Sequence, residues 1–285
     1  MTEIEKDVEQ SAPDMAKTVS KLRGILFTLV VILAIESFAL GALGYPALKR
    51  WMQKQQAQAV PGVSKNIVYS ANTEKKIVAL TFDDGPFPYE PVHKTNHTKD
   101  LVEVLAKINV KASFFIVGKK AEASPELVKA EFDAGHCIAN HTYNHPQSGI
   151  RLPDMTPEAL EVELGKQSDL IQRITGQRPR FFRPPGEVSD PKVVNAAKKL
   201  GMLVVFNKLN PGDWKYDGKT GAEKDAAVKT IEDIVLAEGA VKPGTIILMH
   251  DGIPATREAL PKIVTTLRER GYEFVTLEQM FPAGG

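Results

Sequence analysis

Short apolar, β-branched segments alternate with amphipathic segments from residue 76 onward, and this alternation restricts the fold more than any other feature of the chain. The pattern predicts about seven strands, at 77–82, 112–117, 136–140, 180–183, 202–206, 245–250 and 273–276. Helices are predicted near 99–108, 124–134, 157–175, 191–200, 223–238 and 257–270. Continuous apolar strands alternating with helices are typical of a parallel sheet covered by helices. An α/β chain of about 200 such residues fits a closed or nearly closed (β/α) barrel better than an open sheet.

Cap residues support three of the predicted helix starts. Ser124, Thr156 and Asp190 each stand directly before a proline. A side-chain oxygen at this position accepts an otherwise unpaired backbone N–H, and a proline at the first helical position loses no hydrogen bond. We therefore expect helices to begin at 125, 157 and 191.

The first 75 residues differ from the rest in composition. Residues 1–23 form a polar tail, and residues 24–43 are mostly apolar and carry a single charge, Glu36. This stretch is long enough to span a bilayer as a helix, whereas the apolar part of a cleaved signal peptide is only about 7–15 residues long. We therefore predict a transmembrane anchor at 24–43, a linker at 44–75 and a folded domain at 76–285, with a cleaved signal peptide as the alternative. The short tail is expected in the cytoplasm, which places the domain on the extracytoplasmic (periplasmic or cell-wall) side.

The charge balance and the cysteine content exclude some classes of protein. The 285 residues carry a formal net charge of +1, which gives no general attraction to nucleic acid. Cys137 is the single cysteine, so an intrachain disulfide is excluded. No nucleic-acid partner and no protein partner is inferred.

Polar and charged side chains stand directly after several predicted strands. In parallel (β/α) barrels the reacting groups lie at the C-terminal ends of the strands. The groups at these ends are Asp83 and Asp84, His141 and His145, Arg183, Asp213, and His250 and Asp251. The sequence therefore predicts one site at this end of the sheet.

The histidine pair and the aspartate pair suggest a metal site. His141 and His145 are four residues apart, so on one helical turn their imidazoles would face the same way. With one aspartate from a neighbouring strand end, they form a three-ligand set that leaves positions open for water and substrate, as in catalytic zinc sites. Of Asp83 and Asp84, one could bind the metal and the other remain a free base. The alternatives are a chance pair of surface histidines and two exposed turn aspartates.

His250 and Arg183 have two interpretations each. A histidine at a strand end can act as a general acid near neutral pH, provided that a carboxylate orients it, and Asp213 or Asp251 could do so. Arg183 precedes two prolines and could keep a neighbouring carboxylate charged. The alternatives are a core histidine and a surface arginine.

Five short motifs in this region match a known family. They are, in order, TFDDG at 81–85, HTYNHP at 141–146, RPPG at 183–186, NPGDW at 210–214 and LMH at 248–250. Over about residues 76–281 the chain resembles the NodB-homology polysaccharide deacetylases, carbohydrate esterase family 4. The resemblance implies a distorted (β/α) barrel, preceded here by the predicted transmembrane helix. It also implies one divalent metal, usually zinc.

The resemblance assigns a role to each polar residue at the strand ends. It implies that Asp84, His141 and His145 bind the metal. Asp83 is then the base that activates water, and Arg183 pairs with this base. His250 protonates the departing amine, and Asp213 orients His250.

The resemblance also implies a substrate groove. The backbone N–H of Gly186 would bind the oxyanion of the tetrahedral intermediate, with Pro185, Trp214 and Leu248 lining the groove. Position 186 is glycine where the family usually has tyrosine, which widens the groove and leaves the sugar preference open. Position 210 is asparagine where aspartate is usual.

The segment EPVHKTNHT, residues 90–98, lengthens the loop after the first motif. His93 and His97 in this segment repeat the spacing of four residues. We predict a surface loop near the mouth of the groove, with a second metal site as the alternative.

The residues and the resemblance together favour an anchored, metal-dependent enzyme. We expect it to hydrolyse N-acetyl groups on a polysaccharide that contains N-acetylglucosamine, such as peptidoglycan, a chitin-like polymer or an exopolysaccharide, and to release acetate. The alternatives are an O-deacetylase of acetylated xylan or a similar glycan, and an inactive carbohydrate-binding protein. The expected partners are the polysaccharide and, through the anchor, the membrane.

Overall fold

The computed structural model describes residues 66–90, 95–145 and 151–283. The strands are β1 (Ile67–Val68), β2 (Ile77–Asp83), β3 (Tyr89–Glu90), β4 (Thr95–Asn96), β5 (Ser113–Ile116), β6 (Cys137–Asn140), β7 (Phe181–Phe182), β8 (Leu203–Val205), β9 (Thr245–His250) and β10 (Glu273–Phe274). The helices are α1 (His97–Lys107), α2 (Gly118–Ala123), α3 (Pro125–Asp133), α4 (Pro157–Thr175), α5 (Pro191–Lys199), α6 (Gly221–Leu236), α7 (Pro254–Glu269) and α8 (Leu277–Met280). Each predicted strand and helix corresponds to one of these elements.

The main sheet has eight strands, and every strand pair in it is parallel. The strand order is β1-β8-β7-β6-β5-β2-β10, and β9 also pairs with β2. The backbone N–H of Lys208, beyond β8, donates to Ile246 O on β9 at 3.0 Å, and Leu248 N donates to Leu209 O at 2.9 Å. The sheet is therefore curled into a half-barrel, and these bonds connect the segment after β8 to β9. This form is consistent with the predicted distorted (β/α) barrel.

The alternation of side chains along β2 separates the helix-packing core from the site. Successive side chains of a strand point to opposite faces. Val78, Leu80 and Phe82 pack with apolar residues of the covering helices. Thr81 and Asp83 lie on the other face, where both contact a buried arginine side chain. The period of two thus places the first aspartate of the TFDDG motif inside the curled sheet.

Two of the three predicted caps form hydrogen bonds. The Thr156 side chain accepts from Ala159 N at the start of α4, and the Asp190 side chain accepts from Lys192 N at the start of α5. Ser124 precedes α3 but makes no side-chain cap bond. All three helices begin at the proline, as predicted.

Part of the predicted linker belongs to the sheet. In β1, Ile67 and Val68 pair with Val204 and Val205 of β8. The Tyr69 ring stacks on Phe206 with centroids 5.0 Å apart. The sheet therefore includes residues 67–68, whose backbone pairs with the edge of β8.

The extended segment after the first motif contains a short hairpin. Tyr89 and Glu90 of β3 pair with Asn96 and Thr95 of β4 in antiparallel register. The Asn96 side chain then caps α1, and His97 is the first residue of this helix. The predicted surface loop is therefore correct only in part, and His93 lies outside the described residues.

The predicted transmembrane anchor at 24–43 also lies outside the described residues. Within the described ranges, no helix combines the length and the apolar character needed to cross a membrane. The anchor stays a prediction.

Candidate active site

Asp83 and Arg183 form a buried ion pair at the C-terminal end of β2. Arg183 Nη1 lies 2.7 Å from Asp83 Oδ1, and the two side chains are 0% and 4% exposed. The guanidinium also donates to Thr81 Oγ1 at 2.8 Å and to the carbonyls of Val205 and Phe206 at 3.1 and 3.2 Å. These acceptors, on β2 and in and after β8, bind the N–H donors of the buried guanidinium and compensate its charge. Asp83 therefore has a fixed orientation beside a permanent positive charge.

Asp84 points to the histidine pair, away from Arg183. Its Oδ1 lies 3.0 Å from His145 Nε2 and 3.3 Å from His141 Nε2. Asp84 has a φ of 74°, so the chain turns sharply after β2 and the two aspartates face different groups. Burial raises the pKa of Asp84, but hydrogen bonds from the two imidazoles outweigh it, so the net pKa lies well below the ordinary value. Asp84 is therefore a carboxylate at neutral pH.

The two histidines lie on a loop, so the prediction of a helical turn is wrong. His141 directly follows β6, and residues 141–145 belong to neither a helix nor a strand. Thr142 and His145 have positive φ values of 66° and 48°. His145 N donates to Thr142 Oγ1 at 3.0 Å, which closes this turn. The imidazoles still approach each other, with ring centroids 5.1 Å apart.

The donor atoms of this group fit a small divalent metal ion. One donor atom from each of Asp84, His141 and His145 lies within 4.8 Å of the others. Tetrahedral zinc ligands with bonds of about 2.0–2.1 Å lie about 3.3 Å apart, close to the separations of 3.0 and 3.3 Å found here. His141 Nδ1 lies 2.7 Å from the carbonyl of Arg183, which can only accept a hydrogen bond. Nδ1 therefore carries a proton, and an imidazole that holds only this proton presents the lone pair of Nε2 to the site, as a metal ligand must.

His250, which is partly exposed, and the buried Asp213 form a second pair at the end of β9. His250 Nδ1 lies 2.8 Å from Asp213 Oδ1, and the backbone N–H of His250 donates to Asp213 Oδ2 at 2.8 Å. Thr256 Oγ1 also donates to Asp213 Oδ2. Burial lowers the pKa of His250, but the bond to Asp213 and the nearby carboxylates outweigh it and raise this pKa to about 9. His250 is therefore protonated at neutral pH.

Asp251 is not the partner of His250. Its side chain accepts a hydrogen bond from Thr98 in α1, and its backbone N–H donates to Asp83 O at 2.9 Å. Burial raises the pKa of Asp251 to about 6. Of the two carboxylates that the sequence left open, the structure brings Asp213 to the imidazole.

The residues predicted to bind substrate have very different exposures. Gly186 is exposed with a φ of 67°, and Pro185 before it is buried. Trp214 is 55% exposed, whereas Leu248 is only 3% exposed. Gly186 and Trp214 therefore present surface to solvent, and the substrate contacts of all four residues stay predictions.

Residues outside the five motifs support the loops that carry the donor atoms. Lys120 Nζ of α2 donates to the carbonyl of Asp84 at 2.7 Å. Gly118 N and Lys119 N donate to the carbonyls of Thr142 and Tyr143 at 3.0 and 2.8 Å. No sequence pattern predicts these residues, because α2 lacks an apolar periodicity and begins with glycine.

The chain is similar to known polysaccharide deacetylases. The polysaccharide deacetylase family model matches residues 70–205. A peptidoglycan-N-acetylglucosamine deacetylase of Bacillus cereus is 34% identical over 218 residues, which cover 75% of this chain and 71% of the relative. The peptidoglycan-N-acetylmuramic acid deacetylase PdaA of Bacillus subtilis is 30% identical over 213 residues, with 74% of each chain covered.

Solved structures show the same fold. The Bc1960 peptidoglycan N-acetylglucosamine deacetylase superposes with a TM-score of 0.64 at 33% identity, over 76% of this chain and 92% of that one. A family 4 carbohydrate esterase pseudoenzyme from Bacillus anthracis has a TM-score of 0.62 at 27% identity, over 75% and 68% of the two chains. The family thus includes deacetylases and a pseudoenzyme. The chain belongs to the polysaccharide deacetylase family, the NodB-homology group of carbohydrate esterase family 4.

Proposed function

We propose that the domain is a metal-dependent N-deacetylase of a polysaccharide that contains N-acetylglucosamine. One observation supports this most strongly. The donor group of Asp84, His141 and His145 lies beside the buried pair of Asp83 with Arg183 and the partly exposed pair of His250 with Asp213. Relatives named for peptidoglycan deacetylation support peptidoglycan as the first substrate to test. The intact set of polar residues argues against an inactive binding protein.

Asp84, His141 and His145 would hold the metal, for which zinc is the best match to one carboxylate and two imidazoles. Bound at this position, zinc would polarise the acetyl carbonyl and lower the pKa of water. Asp83 is free to act as the base, because its Oδ2 is not the atom paired with Arg183. Asp83 takes a proton from the attacking water, and Arg183 holds the Asp83 carboxylate in place.

His250 would act as the general acid. Its Nδ1 is bonded to Asp213, so Nε2 carries the proton that can move to the departing amine nitrogen. Asp213 stabilises the protonated imidazole and fixes its orientation. The exposed backbone of Gly186 would offer its N–H to the developing oxyanion.

Acetate release by the full-length chain tests this proposal. The substrates are N-acetylglucosamine oligomers, peptidoglycan and acetylated xylan, each with and without a chelator. Chelator-sensitive release from a polymer of N-acetylglucosamine is expected, because the donor group would lose its metal. Acetate release from acetylated xylan alone would indicate an O-deacetylase instead. Zinc binding without acetate release from any substrate would favour a carbohydrate-binding role.

The pH profile should report the acid role of His250. Because the acid must be protonated and its pKa is raised to about 9, we expect kcat/KM to fall as the pH rises through about 9. Asp213→Asn removes the negative charge that raises this pKa, so the alkaline limb should move down by about 1–3 pH units. The measurement is kcat/KM from pH 6 to 10 at constant zinc content. An unchanged alkaline limb in the variant would exclude His250 as its source.

We also propose that the apolar segment at 24–43 anchors the domain on the extracytoplasmic side. The proposal is supported by the length and composition of the segment. Membrane fractionation of cells that express the full chain, with protease added to intact spheroplasts, tests it. A chain recovered in the cytoplasmic fraction, or protected from the protease, would contradict it.

A further inference from the structure

Asn144 connects the histidine loop to a buried carboxylate in α4. Glu163 Oε1 accepts a hydrogen bond from Asn144 N at 2.5 Å, and Glu163 Oε2 accepts from Asn144 Nδ2 at 2.6 Å. Glu163 is 5% exposed and lies on the buried face of α4. One carboxylate therefore binds both the backbone N–H and the side-chain NH₂ of the residue directly before His145.

The backbone of this loop needs such support. Thr142 and His145 both have positive φ, a conformation that costs free energy in residues other than glycine and persists only where surrounding contacts enforce it. Gly118 and Lys119 of α2 bind the carbonyls of Thr142 and Tyr143. Glu163 supplies the contact from α4 and binds the donor groups of Asn144. The loop is thus held by both helices, and His145, at 24% exposure, is its more exposed histidine.

We propose that Glu163 is a positioning residue of the metal centre, which acts through Asn144 to keep the His145 imidazole within binding distance of Asp84. The proposal rests on the metal site of the proposed function. Residues that orient metal ligands without touching the metal typically contribute about 10–100-fold to affinity. Glu163 has no place in the five sequence motifs, and only the fold brings it to the loop.

Glu163→Gln is the direct test. Glutamine has nearly the same shape, but its NH₂ group must face one of the two Asn144 donors, so one hydrogen bond is lost. We expect the Kd of the metal-free full-length protein for Zn²⁺ to rise about 10–100-fold. This Kd is measured at 25 °C by competition with a chromophoric chelator. At saturating Zn²⁺ the kcat for acetate release should return to near the wild-type value, because no reacting group is changed.

Glu161→Gln is the matched control, since Glu161 is a carboxylate of the same helix that pairs with Lys199 at the surface. This control should keep the wild-type Kd. Asn144→Ala provides a second variant if Glu163→Gln does not fold, because it removes the side-chain donor and leaves Glu163 bonded to the backbone. Its Kd should also rise.

The outcomes distinguish failure of the role proposed for Glu163 from failure of the proposed metal site itself. A wild-type Kd in Glu163→Gln, or in Asn144→Ala where only that variant folds, would overturn the role of Glu163. A lowered kcat in Glu163→Gln that saturating Zn²⁺ does not restore would also contradict a positioning role. If the wild-type protein itself binds no Zn²⁺, the metal site of the proposed function fails.

Discussion

Replacement of His141 or His145 by alanine is expected to abolish zinc binding and acetate release together. Each change removes one of three protein ligands, and the remaining two donors cannot hold zinc at one position with the original geometry. Since outer-shell changes at zinc sites already cost about 10–100-fold, we expect losses above 100-fold in both zinc affinity and kcat/KM. Zinc content after dialysis and the rate of acetate release are measured on the same preparations.

His136 is the control for these variants. It lies just before β6, four residues before the end of that strand, and its Nδ1 accepts a hydrogen bond from Ala112 N at 3.1 Å. Burial lowers the pKa of His136 to about 4, so this imidazole is neutral and structural. His136→Asn should keep stoichiometric zinc in the folded protein. Stoichiometric zinc in His141→Ala or His145→Ala would refute the ligand assignment.

The sequence predicted the strands well because their apolar runs are continuous and end in polar residues. Its prediction that the two aspartates of TFDDG divide their contacts also agrees with the geometry, since Asp83 contacts Arg183 and Asp84 contacts the histidines. The alternation of side chains along β2 determines the direction of the Asp83 side chain, and the positive φ of Asp84 determines the direction of the Asp84 side chain. Only the direction of Asp83 can be predicted from sequence, because it follows from the period of two residues in a strand.

Other features could not be predicted because they depend on contacts between distant segments. β1 has two residues, and its partners in β8 lie more than a hundred positions further along the chain. The spacing of His141 and His145 suggested a helix, but a loop with positive φ at Thr142 and His145 brings the rings together. Hydrogen bonds from α2 and α4 stabilise this loop, and no local pattern reveals them.

The environment of Arg183 shows the same limit. From sequence it could have been a surface arginine, whereas it is fully buried. Its acceptors are Thr81 and Asp83 on β2 and the carbonyls of Val205 and Phe206 in and after β8. Only the curvature of the sheet brings these groups around one guanidinium. The assignment of Asp213 to His250 likewise depends on the bonds that join the segment after β8 to β9.

Asp83→Asn is expected to keep zinc but lose turnover. The substitution removes the proposed base and leaves Asp84, His141 and His145 in place, so zinc should remain stoichiometric. General base catalysis contributes about 10²–10⁴-fold, and we expect kcat to fall by that factor. The variant also leaves the buried Arg183 without its anion. Breaking a buried pair by removing one partner costs about 3–5 kcal/mol, although the three neutral acceptors of Arg183 should reduce this loss.

Asp251→Asn is the matched control, because Asp251 is also a buried aspartate at the C-terminal end of the sheet, directly after β9. Asparagine can still accept the hydrogen bond from Thr98, so this variant should keep both zinc and turnover. Zinc content, kcat and the unfolding temperature are compared for both variants and the wild type. Full turnover in Asp83→Asn would show that the base is another group, whereas loss of zinc would show that Asp83 contributes to the metal site. Separate roles for Asp83 and Asp84 are supported only if Asp83→Asn keeps its zinc and loses turnover while Asp251→Asn keeps both.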